Sequence, residues 1–374
     1  MNFFIGDEIN LSGFTQVAPR LFLDEGWNQK SGIWYKGYST ECVIEDSIYD
    51  IVNGYQPAGK YCVICNDEIY HPVLRGFPVF QFEDNLTTLE LPGYSAMLYD
   101  YPAVPKLTDD TLTIEEASYL IGDVLVENIE NFYKYNNPKD VTLHMSSGLD
   151  TITCWTVHDQ VRTDYNLVVT LSGVKKFIPD YTHDVMNSLT RTSWGHRQVT
   201  FKKQPSWSIS GFYAEVYTYR DIGAATGYLN FLGKDLPNEL TTEDDYYYGF
   251  LDRPWLVDIH NKHKGAVDAS TPEKLKEHLW STLWYDHQIW HLDNTMFFCP
   301  FADLRIPEIA LRLPVTDLIK MGVNGDIQRH IINRFAPERL SLISKYKNEG
   351  KVWYNFKKNF DRSMIGEKTN FIVL

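Results

Sequence analysis

Residues 141–151 read VTLHMSSGLDT, and this stretch decides the fold. Alternating apolar residues in its first half predict a short strand. The small residues that follow, and then an acid and a hydroxyl, predict a turn that opens a helix. Residues 166–171, NLVVTL, have the apolar character of a buried strand in a parallel sheet. A strand, a helix and a second strand over about thirty residues form a βαβ unit, which predicts an α/β fold with a parallel sheet flanked by helices.

The turn between the strand and the helix suits a phosphate chain. Backbone N–H groups at a helix N-terminus point at an anion, and the helix dipole strengthens the attraction. The Asp150 carboxylate is suited to hold a magnesium ion that bridges the phosphates. The alternative is an ordinary strand-to-helix turn in which Asp150 caps the helix. The candidate phosphate-binding residues are Ser146, Ser147, Gly148, Leu149, Asp150 and Thr151.

These residues resemble the Ser-Gly-Gly-x-Asp-Ser/Thr loop of the PP-loop ATP pyrophosphatase superfamily. Its members cleave ATP between the α and β phosphates, so the resemblance implies ATP and Mg²⁺ as ligands, with Asp150 binding the metal. Ser147 stands where the family usually has its first glycine, and its Cβ narrows the approach to the backbone. Thr170, near the end of the second strand, is a candidate for lining the nucleotide pocket; the alternative is a polar residue at a strand end.

Three further stretches resemble asparagine synthetases and the related β-lactam synthetases. Residues 299–314, CPFADLRIPEIALRLP, are similar to a Pro-Phe-Leu-Asp element followed by an apolar helix that ends in Leu-Pro. A segment led by Leu-Asp, residues 292–296, lies just upstream. Residues 328–350 resemble the closing Leu-Arg … Leu-Pro … Arg-x-Lys-x-x-x-Gly pattern of that family. The resemblance therefore extends coarsely over residues 110–350, with the phosphate loop as its strongest motif.

Two residues are candidate catalytic groups. Lys347 is placed by the resemblance to neutralise charge on the α-phosphate and the departing pyrophosphate, although a solvated surface lysine is the alternative. Tyr228 lies in a Thr-Gly-Tyr that resembles the β-lactam synthetases, whose tyrosine assists deprotonation of the attacking nitrogen. The resemblance implies an acid three residues after Tyr228, where this sequence has Phe231. It implies another acid beside Asp293, where this sequence has Asn294.

The first 105 residues form the first predicted domain, and residues 106–374 form the second. Short alternating segments and turn residues predict β structure in the first domain, and a stretch rich in Pro and Tyr, residues 92–105, predicts a linker. The β-rich domain resembles a degenerate form of the family's N-terminal glutaminase domain. Active glutaminases of this type need an N-terminal cysteine, whereas this sequence has none before Cys42. We therefore expect no glutamine hydrolysis.

The second domain is predicted to begin with a long helix. Thr113 and Glu116 have the spacing of a capping box, and the following residues repeat at helical spacing until Pro138. The expected apolar stripe comprises Ile114, Ala117, Leu120, Ile121, Val124, Ile129 and Phe132.

The resemblance implies an ATP-dependent amide-forming ligase. It would adenylate a carboxylate, in a small molecule or a peptide, for attack by ammonia or another amine, and would release AMP and pyrophosphate. One alternative is a PP-loop enzyme that modifies a nucleobase or tRNA. Another is a non-catalytic ATP-binding relative, which the variant residues Ser147, Phe231 and Asn294 favour.

Composition narrows the class of protein. A formal net charge of −14 argues against broad nucleic-acid binding, which needs clustered Lys and Arg, although a local basic site stays open. No apolar run reaches the roughly 20 residues of a membrane span, and the sequence starts without a basic region or a small-residue cleavage site. We expect a cytoplasmic protein, and association of further copies into a homo-oligomer stays open. Five scattered cysteines fit a reducing compartment.

Three further patterns are weaker. Cys62 and Cys65 are three apart on a predicted strand and therefore point to opposite faces, which favours core packing over a metal or redox site. His287 and His291 have a spacing that can chelate a metal on a helix, but a polar helix face is the favoured interpretation. Cys154 can be compared with sulfur-carrying PP-loop enzymes, which generally use paired cysteines, and no such pair is evident.

Overall fold

The computed structural model describes most of the predicted β-rich region and several separate segments of the second predicted domain. The residues described are 2–7, 12–73, 77, 79–88, 96–98, 111–145, 148–169, 189–191, 197–199, 207–209, 211, 218, 276, 280, 297–314, 317–318, 325–343 and 361–373. The chain divides into two compact units: Met1–Val104, Lys134–Asn136 and Leu232–Met296 form the first, and Pro105–Tyr133, Asn137–Phe231 and Phe297–Leu374 form the second. The glutaminase-like character of the first stays a prediction.

The described part of the first unit is built from antiparallel sheets. Its elements are β1 (Phe3–Ile5), β2 (Thr15–Ala18), β3 (Leu21–Leu23), β4 (Asn28–Lys30), β5 (Ile33–Ser39), α1 (Ile48–Val52), β6 (Gly59–Cys65), β7 (Glu68–Tyr70), β8 (Val79–Phe82), β9 (Asn85–Thr87) and β10 (Ala96–Leu98). One sheet has the strand order β10-β8-β9-β1-β3-β2, and the other has the order β4-β5-β6-β7.

Strand β6 has apolar clusters on both faces. The first cluster comprises Phe3, Ile5, Leu21, Leu23, Cys62, Ile64, Phe77 and Val79. The second comprises Ile33, Tyr35, Ile44, Ile48, Ile51, Tyr61 and Val63. Cys62 belongs to the first cluster, whereas Cys65 packs against the second, which confirms that the two thiols face opposite ways along the strand.

Part of the predicted linker is a strand. Residues 96–98 form β10, which pairs antiparallel with β8 through the register Ala96↔Gln81, Met97↔Phe80 and Leu98↔Val79. The prediction of a linker over the whole of residues 92–105 was therefore wrong for these three residues. The Pro and Gly residues on either side favoured the prediction of a linker. A short edge strand nevertheless forms here, because edge strands tolerate such neighbours.

The second unit contains a parallel sheet. Its strands are β11 (Val141–Met145), β12 (Asn166–Val169), β15 (Trp207–Ile209), β16 (Phe297–Phe298) and β17 (Asn370–Val373). Their order is β16-β15-β11-β12-β17, and all four neighbouring pairs are parallel. Two further strands, β13 (Leu189–Arg191) and β14 (Arg197–Val199), form a separate antiparallel pair.

The described helices of this unit are amphipathic or largely buried. They are α2 (Ile114–Asn136), α3 (Leu149–Val161), α4 (Arg305–Leu311) and α5 (Asp326–Phe335), followed by a 3-10 helix, Pro337–Leu342. Helix α2 packs on the sheet through Phe132, whose ring stacks on Phe298 at a centroid distance of 4.1 Å. Strand β11, helix α3 and strand β12 form the predicted βαβ unit, so the fold is mixed α/β.

Helix α2 begins and ends as its sequence predicts. The Thr113 side chain accepts a hydrogen bond from the Glu116 backbone N–H, and the Glu116 carboxylate accepts one from the Thr113 N–H, which confirms the capping box. Asn137, with φ of 40°, ends the helix in the left-handed region. The assignment of Leu120 to the buried stripe was wrong. Leu120 is 40% exposed, because the buried face of the helix includes Leu125 and Asn128 instead.

A buried polar cluster joins the end of α3 to later parts of the chain. Arg339, on the 3-10 helix, forms an ion pair with Asp159, and its guanidinium lies 3.6 Å from the centre of the Trp155 ring. Arg339 also donates to the Met364 carbonyl at 2.6 Å, and Tyr165 donates to Asp159. Burial raises the pKa of the Asp159 carboxyl, and the opposing attraction of Arg339 is smaller.

His158 lies next to this cluster and is completely buried. Its Nε2 is 2.8 Å from the Tyr133 hydroxyl, and its ring meets the Tyr165 ring edge-on at 4.4 Å. Burial lowers the pKa of His158 to about 3, so the imidazole is neutral in the folded protein at neutral pH.

The folded protein is expected to lose stability as the pH falls from about 6.5 towards 3. The unfolded chain binds a proton on His158 near its usual pKa of about 6.5, whereas the folded chain does not, so acid favours the unfolded state over this range. Urea unfolding at about pH 7.5 and about pH 5 measures the loss. The variant His158→Phe should lose less stability between these pH values; an equal loss in both proteins would contradict the assignment.

Candidate functional site

Strand β11 lies where the order of the strands in the parallel sheet reverses. From β11 the chain passes through α3 to β12 on one side, and it later returns to β15 on the other side of β11. In open α/β sheets, ligands bind beyond the carboxyl ends of the strands at such a reversal. Topology therefore makes the ends of β11 and β15 the candidate site in this unit.

Helix α3 begins after Gly148, its N-cap residue, which has φ of −74° and ψ of 149°. A glycine has no side chain that could cap its own helix. The Thr151 hydroxyl donates to the Gly148 carbonyl at 3.0 Å. The alternative interpretation of Asp150 as the N-cap is wrong, because Gly148 occupies that position and Asp150 follows it by two residues. The start of a helix is a place where backbone N–H groups and the helix dipole attract an anion.

Asp150 is a buried carboxylate at this helix start. Its residue is 8% exposed, and its Oδ1 accepts a hydrogen bond of 3.3 Å from Nε2 of Gln328, which lies on α5. The same Nε2 donates to the Thr218 hydroxyl at 2.7 Å. The fold thus brings together the predicted phosphate loop and the start of the predicted closing pattern, which are far apart in the sequence.

Gly211, just beyond β15, lies directly against the start of α3. A Cβ at this position would be 2.7 Å from the Asp150 carbonyl oxygen and 3.0 Å from the Thr151 nitrogen. Both are backbone atoms that cannot move without shifting the helix. The absence of a side chain at residue 211 therefore allows β15 and α3 to meet at the candidate site.

The substitution Gly211→Ala is expected to lower the free energy of unfolding by about 1–3 kcal/mol and to weaken nucleotide binding. The new methyl group would push the Asp150 backbone away from its present position. Urea unfolding and titration with MgATP measure the two effects. Gly122→Ala is the matched control, because Gly122 lies within α2 and a Cβ there would meet side-chain atoms rather than backbone, the nearest being Cε2 of Phe335 at 3.3 Å. A stable Gly211→Ala protein with unchanged nucleotide affinity would contradict this role.

The Pro300–Asp303 element is held in place by helix α2. The Asn128 amide donates to the Pro300 carbonyl at 2.9 Å, and Phe301 is completely buried. The Asp303 carboxylate accepts hydrogen bonds from the backbone and the guanidinium of Arg305, which also pairs with Glu127. These hydrogen bonds raise the pKa of Arg305. The Asp303 carboxylate therefore stabilises the local fold by holding Arg305. The apolar helix that the sequence predicts after this element is α4.

Cys154 lies one turn after the phosphate loop but is buried in the core. Burial raises the pKa of its thiol, which keeps the sulfur protonated and unreactive. Its position fits an apolar core residue better than a sulfur carrier.

Within the described ranges, no group of three or more His, Cys, Asp or Glu side chains could hold a metal ion. Asp150 offers one hard oxygen ligand in a buried position at the start of α3. This donor fits Mg²⁺, which commonly takes one or two carboxylates from the protein and its remaining ligands from phosphates and water.

Several predicted site residues lie outside the described residues. They are Ser146, Ser147, Thr170, Tyr228, Phe231, His287, His291, Asp293, Asn294 and Lys347. The described members of the phosphate loop, Gly148, Leu149, Asp150 and Thr151, lie together at the start of α3.

The sequence did not single out Thr218 or Gly211, and it gave no reason to place Gln328 beside Asp150. Gln328 stands at the head of the predicted closing pattern, and that position was its only signal. Gly211 follows a short apolar segment, Trp207–Ile209, in the same way that Gly148 follows β11. A repeated strand-then-glycine pattern could have indicated a second strand end at the site.

The chain matches no protein-family model, and no curated protein matches it significantly. In the part of the chain that the structure describes, no helix is long and apolar enough to cross a membrane.

Proposed function

We propose that this protein is an ATP-dependent ligase that forms an amide bond. It adenylates a carboxylate substrate and lets ammonia or another amine displace AMP, with pyrophosphate as the other product. The observation that carries the proposal is the buried Asp150 carboxylate in the first turn of helix α3, whose N-cap is Gly148. That helix follows the central strand of a parallel sheet at the point where the strand order reverses.

The start of α3 supplies the binding groups. Backbone N–H groups from Gly148 onward donate to phosphate oxygens, and the helix dipole adds to the attraction. Asp150 holds Mg²⁺, which neutralises phosphate charge when it is bound. Burial of Asp150 strengthens this interaction, because charges attract more strongly away from water. The parallel sheet supports a PP-loop arrangement, and the loop residues 146–151 resemble that superfamily.

Two residues known only from the sequence complete the proposed reaction. The Lys347 ammonium stabilises the negative charge that develops on the α-phosphate and on the leaving pyrophosphate. The Tyr228 hydroxyl assists removal of a proton from the attacking nitrogen. Both roles rest on the resemblance to asparagine and β-lactam synthetases.

The proposal is tested by exchange of labelled pyrophosphate into ATP. The purified protein is incubated with MgATP, labelled pyrophosphate and a panel of carboxylates, and label in ATP reports reversible adenylation without the need for the amine. We expect exchange with at least one carboxylate, and AMP formation when amines are added. Release of ADP and phosphate would contradict the proposal. Tight binding of MgATP without exchange would favour a non-catalytic relative.

A further inference from the structure

The side-chain amide of Gln328 is completely buried and contacts Asp150, the proposed metal ligand. It lies on α5, 178 positions after Asp150. Its helix does not need the amide for docking, because Ile327, Ile331 and Ile332 of the same helix are completely buried. An apolar side chain at residue 328 would pack at lower cost than a buried amide. A polar side chain here therefore calls for a specific partner.

The chemistry of the amide matches its two neighbours. One NH₂ group has two N–H donors, and Nε2 of Gln328 reaches both Oδ1 of Asp150 at 3.3 Å and Oγ1 of Thr218 at 2.7 Å. An ionised carboxylate only accepts hydrogen bonds, so the NH₂ end of the amide faces Asp150. The Thr218 hydroxyl then fixes the plane of the amide.

A neutral donor is suited to a carboxylate that binds a metal. An arginine or lysine at residue 328 would neutralise the charge that attracts Mg²⁺, whereas an amide restricts rotation of the carboxylate and leaves its charge intact. We propose that Gln328, held by Thr218, is a positioning residue that sets the orientation of the Asp150 carboxylate for Mg²⁺. This inference rests on the proposed function, because it assigns Asp150 the task of binding the metal.

Removal of the amide is expected to weaken Mg²⁺-dependent binding without preventing folding. Groups that orient a metal ligand typically change metal affinity by about 10- to 100-fold. We therefore expect Gln328→Met, which keeps the length of the side chain, to raise the Mg²⁺ concentration needed for half-maximal binding of α,β-methylene-ATP by about that factor. Binding of the nucleotide with Mg²⁺ omitted should be unchanged, because the helix N-terminus is intact.

Two variants of the anchor separate positioning from packing. Thr218→Val removes the hydroxyl but keeps the shape, and it should raise the Mg²⁺ requirement in the same direction as Gln328→Met. Thr218→Ser restores the hydroxyl and should return the requirement close to that of the wild type. A role in packing alone would give the opposite order, because serine leaves a cavity and valine does not.

The experiment is calorimetric titration of α,β-methylene-ATP at a series of Mg²⁺ concentrations, with thermal unfolding to check that each variant is folded. Gln160→Met is the matched control; Gln160 lies at the far end of α3 and donates only to the Thr156 carbonyl in its own helix. If the wild type binds the nucleotide in a Mg²⁺-dependent way and Gln328→Met has the same Mg²⁺ requirement, the positioning role of Gln328 is overturned while the proposed function stands. Absence of Mg²⁺-dependent binding in the wild type would overturn the proposed function, and the role of Gln328 with it.

Discussion

Replacement of Asp150 by asparagine is expected to reduce carboxylate-dependent pyrophosphate exchange by about a thousandfold or more. Asparagine has the same shape as aspartate but lacks the charge that we propose holds Mg²⁺, and metal stabilisation of transferring phosphates is worth several kcal/mol. The buried position of Asp150 enlarges the effect, because water cannot replace the missing charge. Initial rates of exchange in the wild type and the variant give the ratio.

Asp164→Asn is the matched control for this experiment. Asp164 is exposed and forms a surface ion pair with Arg162 after the end of α3, away from the phosphate loop. The control should retain the wild-type exchange rate. If Asp150→Asn also retained it, the assignment of residues 146–151 as the phosphate loop would be refuted.

The substitution Arg339→Met is expected to lower the free energy of unfolding by about 3–5 kcal/mol. The guanidinium is buried and pairs with Asp159, and it also holds the Met364 carbonyl and covers the Trp155 ring. Its removal leaves the Asp159 carboxylate in the core without a counter-charge, which costs more than the pair itself contributes. The pKa of Asp159, which burial already raises, should rise further.

Guanidinium chloride unfolding measures this loss, and the exposed pair provides its control. Arg162→Met breaks the ion pair between Arg162 and Asp164, whose two side chains are 42% and 47% exposed, respectively. This substitution should lower the free energy of unfolding by about 1 kcal/mol or less. A similar small loss for Arg339→Met would show that Asp159 is protonated in the folded protein, so that the arginine has no buried charge to balance.

The sequence predicted the local parts of the fold well. The βαβ unit and the ends of α2 depend on signals within a few residues: apolar alternation before residue 146, the capping box at Thr113, and Asn137 before a proline. Such signals act through neighbouring backbone atoms, so they can be recognised in the sequence. The structure confirms these elements and the parallel pairing of β11 with β12.

The outer strands of the parallel sheet were not predicted, because they are short and distant in sequence. Strands β15, β16 and β17 have three, two and four residues, too few for a clear period. Their identity as strands depends on pairing with partners far along the chain, which no local window contains. Strand β10 has only three residues, and the Pro and Gly residues around it favoured the prediction of a linker.

The site was predicted in part. Asp150 and its neighbours follow from the strand-turn-helix pattern, whereas the hydrogen bonds to Gln328 and Thr218 arise only when α5 packs against α3. The close approach of Gly211 is likewise a product of the strand order. Contacts of this kind depend on the complete fold, so a single sequence gives them no signal.

The pairing of β12 with β17 has a consequence for how the protein folds. Strand β12 meets β11 on one side, about twenty residues back, but its other edge is covered only by a strand that lies 204 positions later, at the contact of Asn166 with Asn370. Closing so long a loop is slow, so β12 stays an open edge during most of refolding. An open apolar edge recruits other chains. We therefore expect refolding yields to fall steeply with protein concentration, through association at the unpaired edge of β12.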